Sequence, residues 1–103
     1  MQKGKVASQC AHAAVDAYTK SLLTDPSKVQ RWLELGGTKI VLRGNDEQHL
    51  AQLRESAKRN GLVTSLIRDA GQTQVPVGAE TVLAIGPDRE SWLHKVTGSL
   101  KLY

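Results

Sequence analysis

The sequence is poor in aromatic residues and cysteine, and both shortages limit what the protein can be. It has no phenylalanine and four other aromatic residues in 103, so aliphatic side chains and alanine must fill the core. The single cysteine, Cys10, excludes an internal disulfide and fits a reducing compartment. Its position among small apolar residues predicts a core residue rather than a reactive thiol.

Long apolar runs and several common site motifs are also missing. No apolar run approaches the roughly 18 residues needed to span a bilayer, and the polar, basic N-terminus does not resemble a signal peptide. His49 and His94 have no acidic or cysteine partner at the spacing of zinc ligands. The phosphate-binding patterns GxxxxGK[ST] and GxGxxG and the nucleophile motif GxSxG are absent. The residues therefore predict neither a membrane span nor a metal or nucleotide site of these kinds.

The overall composition is that of a soluble globular protein, with 40% hydrophobic and 23% charged residues. A chain of 103 residues suits one domain. The net charge of +4 favours an anionic partner, although an ordinary solvated surface explains it equally well.

Helical and strand patterns alternate along the chain. The first helix ends near residues 22–24, before Asp25-Pro26, and a short second helix capped by Asp25 or Ser27 runs through Leu35. The strand patterns are residues 38–43, 62–69 and 80–87, the last of them mostly apolar and so central. This alternation predicts an α/β fold, a compact three-layer sandwich in which a mixed β-sheet has helices on both faces.

The remaining helices have recognisable ends. Asn45 is the expected N-cap of the helix that Asn60-Gly61 stops, and Asp88 the expected cap of a last helix through about residue 96. Trp92 should face inward from that helix, Gly98 should end it, and LKLY should form a tail or a short edge strand.

One thin polar line runs along the first helix, which is otherwise apolar or small nearly all round. Lys5, Gln9, His12 and Asp16 fall within a narrow wedge, because residues three and four apart stack on a helix. The apolar surroundings predict that the helix is well buried. The polar line must then face solvent, a partner or a site.

The loop after Asp69 is the richest polar segment. Sites in open α/β sheets gather at strand ends and helix N-termini, and Asp69 and Lys5 occupy one of each. Together in a cleft they would supply a general base and a charge that stabilises an oxyanion. A surface salt bridge, worth about 0–1 kcal/mol, is the simpler interpretation. His12 could act as a base, contact nucleic acid or pack structurally.

The quoted segments themselves resemble a known family. The blocks KGKVASQCAHAAVDAY, LVTSLIRDAGQTQVPVGAETVLAIGP and HKVTGSLKLY closely resemble the archaeal and eukaryotic (type 2) peptidyl-tRNA hydrolases, in order, from Lys3 to Tyr103. The resemblance implies an esterase that cleaves the bond between a peptide and the 3'-terminal ribose of tRNA, recycling tRNA from prematurely released peptidyl-tRNA. It implies tRNA as a partner and no metal or organic cofactor.

The resemblance also implies which residues form the site. The matching catalytic positions lie in the first helix and in the loop and last strand: Lys5, Gln9, His12, Asp69, Thr73 and Thr81. The basic side chains expected to hold tRNA phosphates are Lys3, Lys39, Arg43 and Arg68. Our hypothesis is that Asp69, directly or with Thr73, orients or deprotonates a water, while Lys5 and Gln9 stabilise the oxyanion.

The chain departs from the family pattern at its first residues. Family members have a strand ending in Arg-x-Asp just before the first helix, and Gln2 stands where they usually have glycine. We therefore expect residues 1–103 to form one domain of this family, shortened at the N-terminus.

Two other functions fit the same fold. The first is a non-catalytic interaction protein in mitochondrial or apoptotic signalling, and the second is a general RNA-binding module. The resemblance further implies a cytoplasmic or mitochondrial location, and it is compatible with a homodimer and with a protein partner in signalling.

Overall fold

The computed structural model describes residues 1–69 and 78–103. Four helices and two strands occur in this part of the chain. In order they are α1 (Lys3–Thr24), α2 (Pro26–Glu34), α3 (Glu47–Arg59), β1 (Thr64–Arg68), β2 (Glu80–Ile85) and α4 (Glu90–Thr97). The radius of gyration is 13.4 Å, close to the roughly 13 Å of a compact chain this long.

The two strands pair as an antiparallel sheet between layers of helices. Side chains alternate between the faces of a sheet, and Ser65 and Asp69 contact α1 on one face. On the other face, Ile85 packs against a buried cluster built on Ala57 of α3 and Val96 of α4. The predicted α/β sandwich with helices on both faces is confirmed, and the described sheet is antiparallel rather than mixed.

Residues 38–43 do not form the predicted strand. Only Leu42 makes a β-bridge, and its antiparallel partner is Leu102 near the end of the chain. Two backbone hydrogen bonds flank this bridge, from the Arg43 N–H to the Lys101 carbonyl and from the Tyr103 N–H to the Val41 carbonyl. Residues 38–43 therefore meet the LKLY segment through one isolated bridge, and neither segment joins the β1–β2 sheet.

Most helix boundaries follow the predicted signals. α1 ends at Thr24, and Asp25 caps α2 by accepting a hydrogen bond from the Lys28 N–H at 3.2 Å. The N-cap of α3 is Asp46 rather than Asn45, because the Asp46 carboxylate accepts from the N–H of His49 at 2.8 Å.

The start of α4 differs from the prediction. Its N-cap is Arg89, without a side-chain cap, whereas Asp88 accepts from the Arg89 N–H and pairs with the ammonium of Lys28 at 2.7 Å. Trp92 does not face inward. It is 39% exposed, with the Lys95 ammonium 3.9 Å from its ring centroid, a cation–π contact that keeps one ring face against a charge.

The prediction that α1 is well buried is wrong. Only Ala13, Ala17 and Ser21 of this helix are buried, while Val15 is 66% exposed. The physical reason is that the described sheet is narrow, so the helix packs on it along a single side. No helix in the described ranges is both long and apolar enough to cross a membrane.

Alanine takes the place of large side chains in the core, as the shortage of aromatic residues predicts. Ala57 is 0% exposed and packs with Leu62 and Val96.

We predict that Ala57→Leu lowers the free energy of unfolding by about 1–3 kcal/mol, because interiors have no room for added methylenes. Urea unfolding measures this. Ala51→Leu, on the exposed side of the same helix, is the control, and an equal effect at both positions would contradict the packing argument.

Candidate active site

A buried ion pair joins the start of α1 to the end of β1. The Lys5 ammonium lies 2.5 Å from an oxygen of the Asp69 carboxylate, and the two side chains are 17% and 1% exposed. The Asp69 backbone is held on both sides, since its N–H donates to the Ala79 carbonyl and its carbonyl accepts from the Gly78 N–H. The two residues that the sequence placed at a helix start and a strand end are therefore in contact.

A second polar contact lies one helical turn further along α1. The side-chain amide of Gln9 donates to the hydroxyl of Thr81 on β2 at 2.8 Å. Lys5 and Gln9 are four residues apart and so lie on one helix face, about 6 Å apart along the axis. The polar cluster, as we call Lys5, Gln9, Asp69 and Thr81, thus spans the junction between α1 and the ends of both strands.

A β-bulge turns Thr81 toward α1. In the sheet, Ile67 pairs with Val82, but the next residue of β1, Arg68, pairs with Glu80. Thr81 is therefore the extra residue of β2, and the alternation of side chains is interrupted there. As a result Thr81 and Val82 can both point to the α1 side, which regular alternation would not allow.

The polar cluster combines a carboxylate, an ammonium, an amide and a hydroxyl at one junction. A carboxylate can orient or deprotonate a water, and an ammonium with an amide N–H can stabilise an oxyanion. Thr73, the remaining residue predicted for this group, lies outside the described residues. Among residues 1–69 and 78–103, no group of three or more His, Cys, Asp and Glu side chains could hold a metal ion.

Comparison with known proteins gives the family. The sequence model of the family described as peptidyl-tRNA hydrolase PTH2 matches residues 1–103. The chain is 48% identical over its whole length to human "Peptidyl-tRNA hydrolase 2, mitochondrial" and 45% identical to a Halobacterium salinarum "Peptidyl-tRNA hydrolase". A Methanococcus vannielii protein of the latter name is 43% identical over 102 residues. The chain belongs to the PTH2 family.

The fraction of each relative's length that this chain matches differs between the human and the archaeal proteins. The chain spans 58% of the length of the human protein but 89% and 88% of the two archaeal proteins. The match therefore includes most of an archaeal PTH2 protein and little more than half of the human one.

His12 stands apart from the polar cluster of this PTH2 family member. It is exposed on α1, between Gln9 and Asp16 on the polar line. Within the described part of the chain, no hydrogen bond or ion pair joins it to Lys5 or Asp69. Its predicted catalytic role therefore stays a prediction.

The basic residues predicted to bind tRNA are all exposed, but they occupy different segments. Lys3 precedes Lys5 by two residues at the start of α1, and Arg68 directly precedes Asp69, with its guanidinium 3.6 Å from the Glu80 carboxylate. Lys39 lies elsewhere, with its ammonium 2.5 Å from the Gly37 carbonyl. Arg43, the fourth, follows the bridged residue Leu42.

The sequence did not single out a further contact in the middle of α1. The Ser65 hydroxyl, which is fully buried, donates to the Asp16 carboxylate, and the Lys20 ammonium lies 3.2 Å from the same group. The hydrogen bond from Ser65, followed by the bond and charge of Lys20, lowers the pKa of Asp16 below its ordinary value. Asp16 belonged to the predicted polar line, but no local pattern marks Ser65 as its partner.

This contact gives the fold a specific acid sensitivity. An acid whose folded-state pKa is depressed stabilises the fold above its ordinary pKa, here 3.8, and loses that contribution as the pH falls through the lower folded value. We predict that Ser65→Ala lowers the free energy of unfolding more at pH 7 than at pH 3. Urea unfolding at both pH values tests this, with the exposed Ser99→Ala as control. An equal loss at the two pH values would contradict the assignment.

Proposed function

We propose that the chain hydrolyses the ester between a peptide and the 3'-terminal ribose of tRNA. The observation that carries the proposal is the buried Lys5–Asp69 pair, in which a carboxylate and an ammonium meet at a strand end. Membership of the PTH2 family and the names of its archaeal and human members support the same substrate and reaction.

In the proposed reaction, Asp69 is the general base. Its carboxylate takes a proton from a water as the water oxygen attacks the ester carbonyl, and Thr73 helps to hold that water. The tetrahedral intermediate then collapses, the bond to the ribose oxygen breaks, and the proton passes from Asp69 to that oxygen. The products are a peptide carboxylic acid, which releases its proton to solvent and becomes a carboxylate, and a tRNA with its terminal hydroxyl restored.

Lys5 and Gln9 act on the charge that develops during the attack. The Lys5 ammonium, being partly exposed, can contact both the Asp69 carboxylate and a bound substrate. The Gln9 amide, held by Thr81, offers a second donor one helical turn away. Donors fixed before the reaction need no reorganisation in the transition state, which is the main source of oxyanion stabilisation. His12, exposed on the same line of the helix, is available to the substrate rather than to the ion pair.

We predict that Lys5→Ala and Asp69→Asn each lower turnover of an N-blocked aminoacyl-tRNA by roughly 100-fold or more, about 2.7 kcal/mol of transition-state stabilisation. Release of the labelled N-blocked amino acid measures turnover. Asp69→Asn keeps the shape of the side chain, and thermal melting shows whether each variant is folded.

The matched control is Lys28→Ala. Lys28 pairs with the largely buried Asp88 at 2.7 Å, so this variant also breaks a lysine–aspartate pair but does so away from the polar cluster. It should retain turnover while losing some stability. A comparable loss of turnover in Lys28→Ala, or full turnover in both cluster variants, would refute the proposed site. No turnover by the folded unmodified chain would refute the proposed reaction.

tRNA binding is proposed to use the basic side chains of Lys3, Lys39, Arg43 and Arg68. All four are exposed, and Arg68 makes only a loose contact of 3.6 Å with the Glu80 carboxylate, so its guanidinium can reach a phosphate. The net charge of +4 supports an anionic partner.

A homodimer, a signalling partner and a cytoplasmic or mitochondrial location stay predictions. The human, bovine and mouse relatives carry "mitochondrial" in their names.

If these side chains neutralise phosphates, tRNA affinity should depend steeply on salt. We predict that Arg43→Ala reduces the slope of the logarithm of affinity against the logarithm of salt by about 0.7–0.9, since one phosphate contact is removed. Titration of uncharged tRNA at several salt concentrations measures the slope. Arg59→Ala, an exposed arginine outside the proposed set, should leave it unchanged. An affinity independent of salt would remove this part of the proposal.

A further inference from the structure

The bulge that presents Thr81 is held from the face of the sheet opposite α1. The backbone N–H of Glu80, the residue just before Thr81, donates to a carboxylate oxygen of Glu47 at 3.1 Å. Glu47 is the first residue of α3, which packs against both strands. The Glu80 side chain is itself directed toward Arg68, at 3.6 Å. The strand is thus held immediately before its extra residue.

The hydrogen bond between Glu47 and Glu80 matters because β2 could instead pair with β1 in a regular ladder without the bulge. If β2 slipped by one residue into a regular ladder, the side chain of Thr81 would turn to the opposite face of the sheet. Gln9 would then lose the hydroxyl to which it donates at 2.8 Å. The Glu47 carboxylate favours the bulged arrangement because it satisfies the Glu80 N–H where β2 leaves its regular register.

We propose that Glu47 is a positioning residue for the polar cluster, acting through the Glu80 N–H and the bulge on Thr81 and so on the Gln9 amide. Glu47 lies on α3, makes no hydrogen bond or ion pair with a member of the cluster in the described part of the chain, and needs no contact with substrate. The kinetic part of this inference rests on the proposed hydrolysis, whereas the structural part does not.

Glu47 also lies in the first turn of α3, where a negative charge stabilises the helix dipole. The substitutions must therefore separate charge from hydrogen bonding. Glu47→Gln removes the charge but keeps an oxygen that can accept the Glu80 N–H, and Glu47→Ala removes both. The difference between the two variants reports the hydrogen bond alone. Glu55→Ala, an exposed acid on the same helix, is the control for a general loss of charge.

In the hydrolysis assay, Glu47→Ala should lower kcat by about fivefold, in line with the usual net effect of one hydrogen bond, with KM little changed. Glu47→Gln should recover most of that loss, and Glu55→Ala should behave as the unmodified chain. In a Thr81→Val background, which lacks the hydroxyl, Glu47→Ala should cost almost nothing further, because both changes act through the same contact. Equal effects of Glu47→Ala with and without the Thr81 hydroxyl would overturn the inference.

A measurement without substrate keeps this test separate from that of the proposed reaction. The side-chain amide signals of Gln9 in a nitrogen–proton NMR spectrum should shift in Glu47→Ala and stay close to their original positions in Glu47→Gln and Glu55→Ala. Unchanged Gln9 signals in Glu47→Ala would overturn the inference whether or not the chain hydrolyses peptidyl-tRNA. Shifted signals in a chain without turnover would uphold the positioning role and refute only the proposed reaction.

Discussion

The docking of α1 on the two-stranded sheet is the constraint on which the rest of the structure depends. The helix meets the strands through polar contacts along its length, from Lys5 and Asp69 to Asp16 and Ser65. Near its C-terminal end, the Ser21 hydroxyl bonds the Gly86 carbonyl. Hydrogen bonds are directional, so these contacts fix both the rotation of the helix and its position along its axis in a way that apolar packing alone would not.

The small residues of α1 allow the helix backbone to lie close to the sheet. Ala13 and Ala17 are the buried apolar positions of the helix, and they let its backbone approach the sheet. The polar line runs beside them at the rim of the buried side, where side chains reach the strands while their surroundings stay partly open. A larger residue at either buried alanine would meet the packed sheet and force the helix or its neighbours to shift. The positions of the polar side chains therefore depend on how closely α1 packs against the sheet.

Local signals in the sequence are enough for the presence of the helices and for two of the four residues of the polar cluster. Asp25 and Asn60-Gly61 mark helix ends through short-range hydrogen bonds and backbone conformation, and the helical spacing put Lys5 and Gln9 on one line. Residues 38–43 differ from the predicted strand because a β-branched run indicates only an extended segment, whereas the pairing of Leu42 depends on Leu102, 60 positions away. The role of Ser65 has no local signal for the same reason, since its partner Asp16 is 49 positions away in sequence.

The bulge at Thr81 shows where residue patterns reach their limit. The segment ETVLAI reads as an ordinary strand, and strict alternation would assign Thr81 and Val82 to opposite faces. The register changes because groups distant in sequence hold this end of β2 from both sides, the Glu47 carboxylate at the backbone and the Gln9 amide at the side chain. Family resemblance can place a threonine in a site without saying how its hydroxyl comes to point there. That orientation follows from the packing of α1 and α3 on opposite faces of one short sheet.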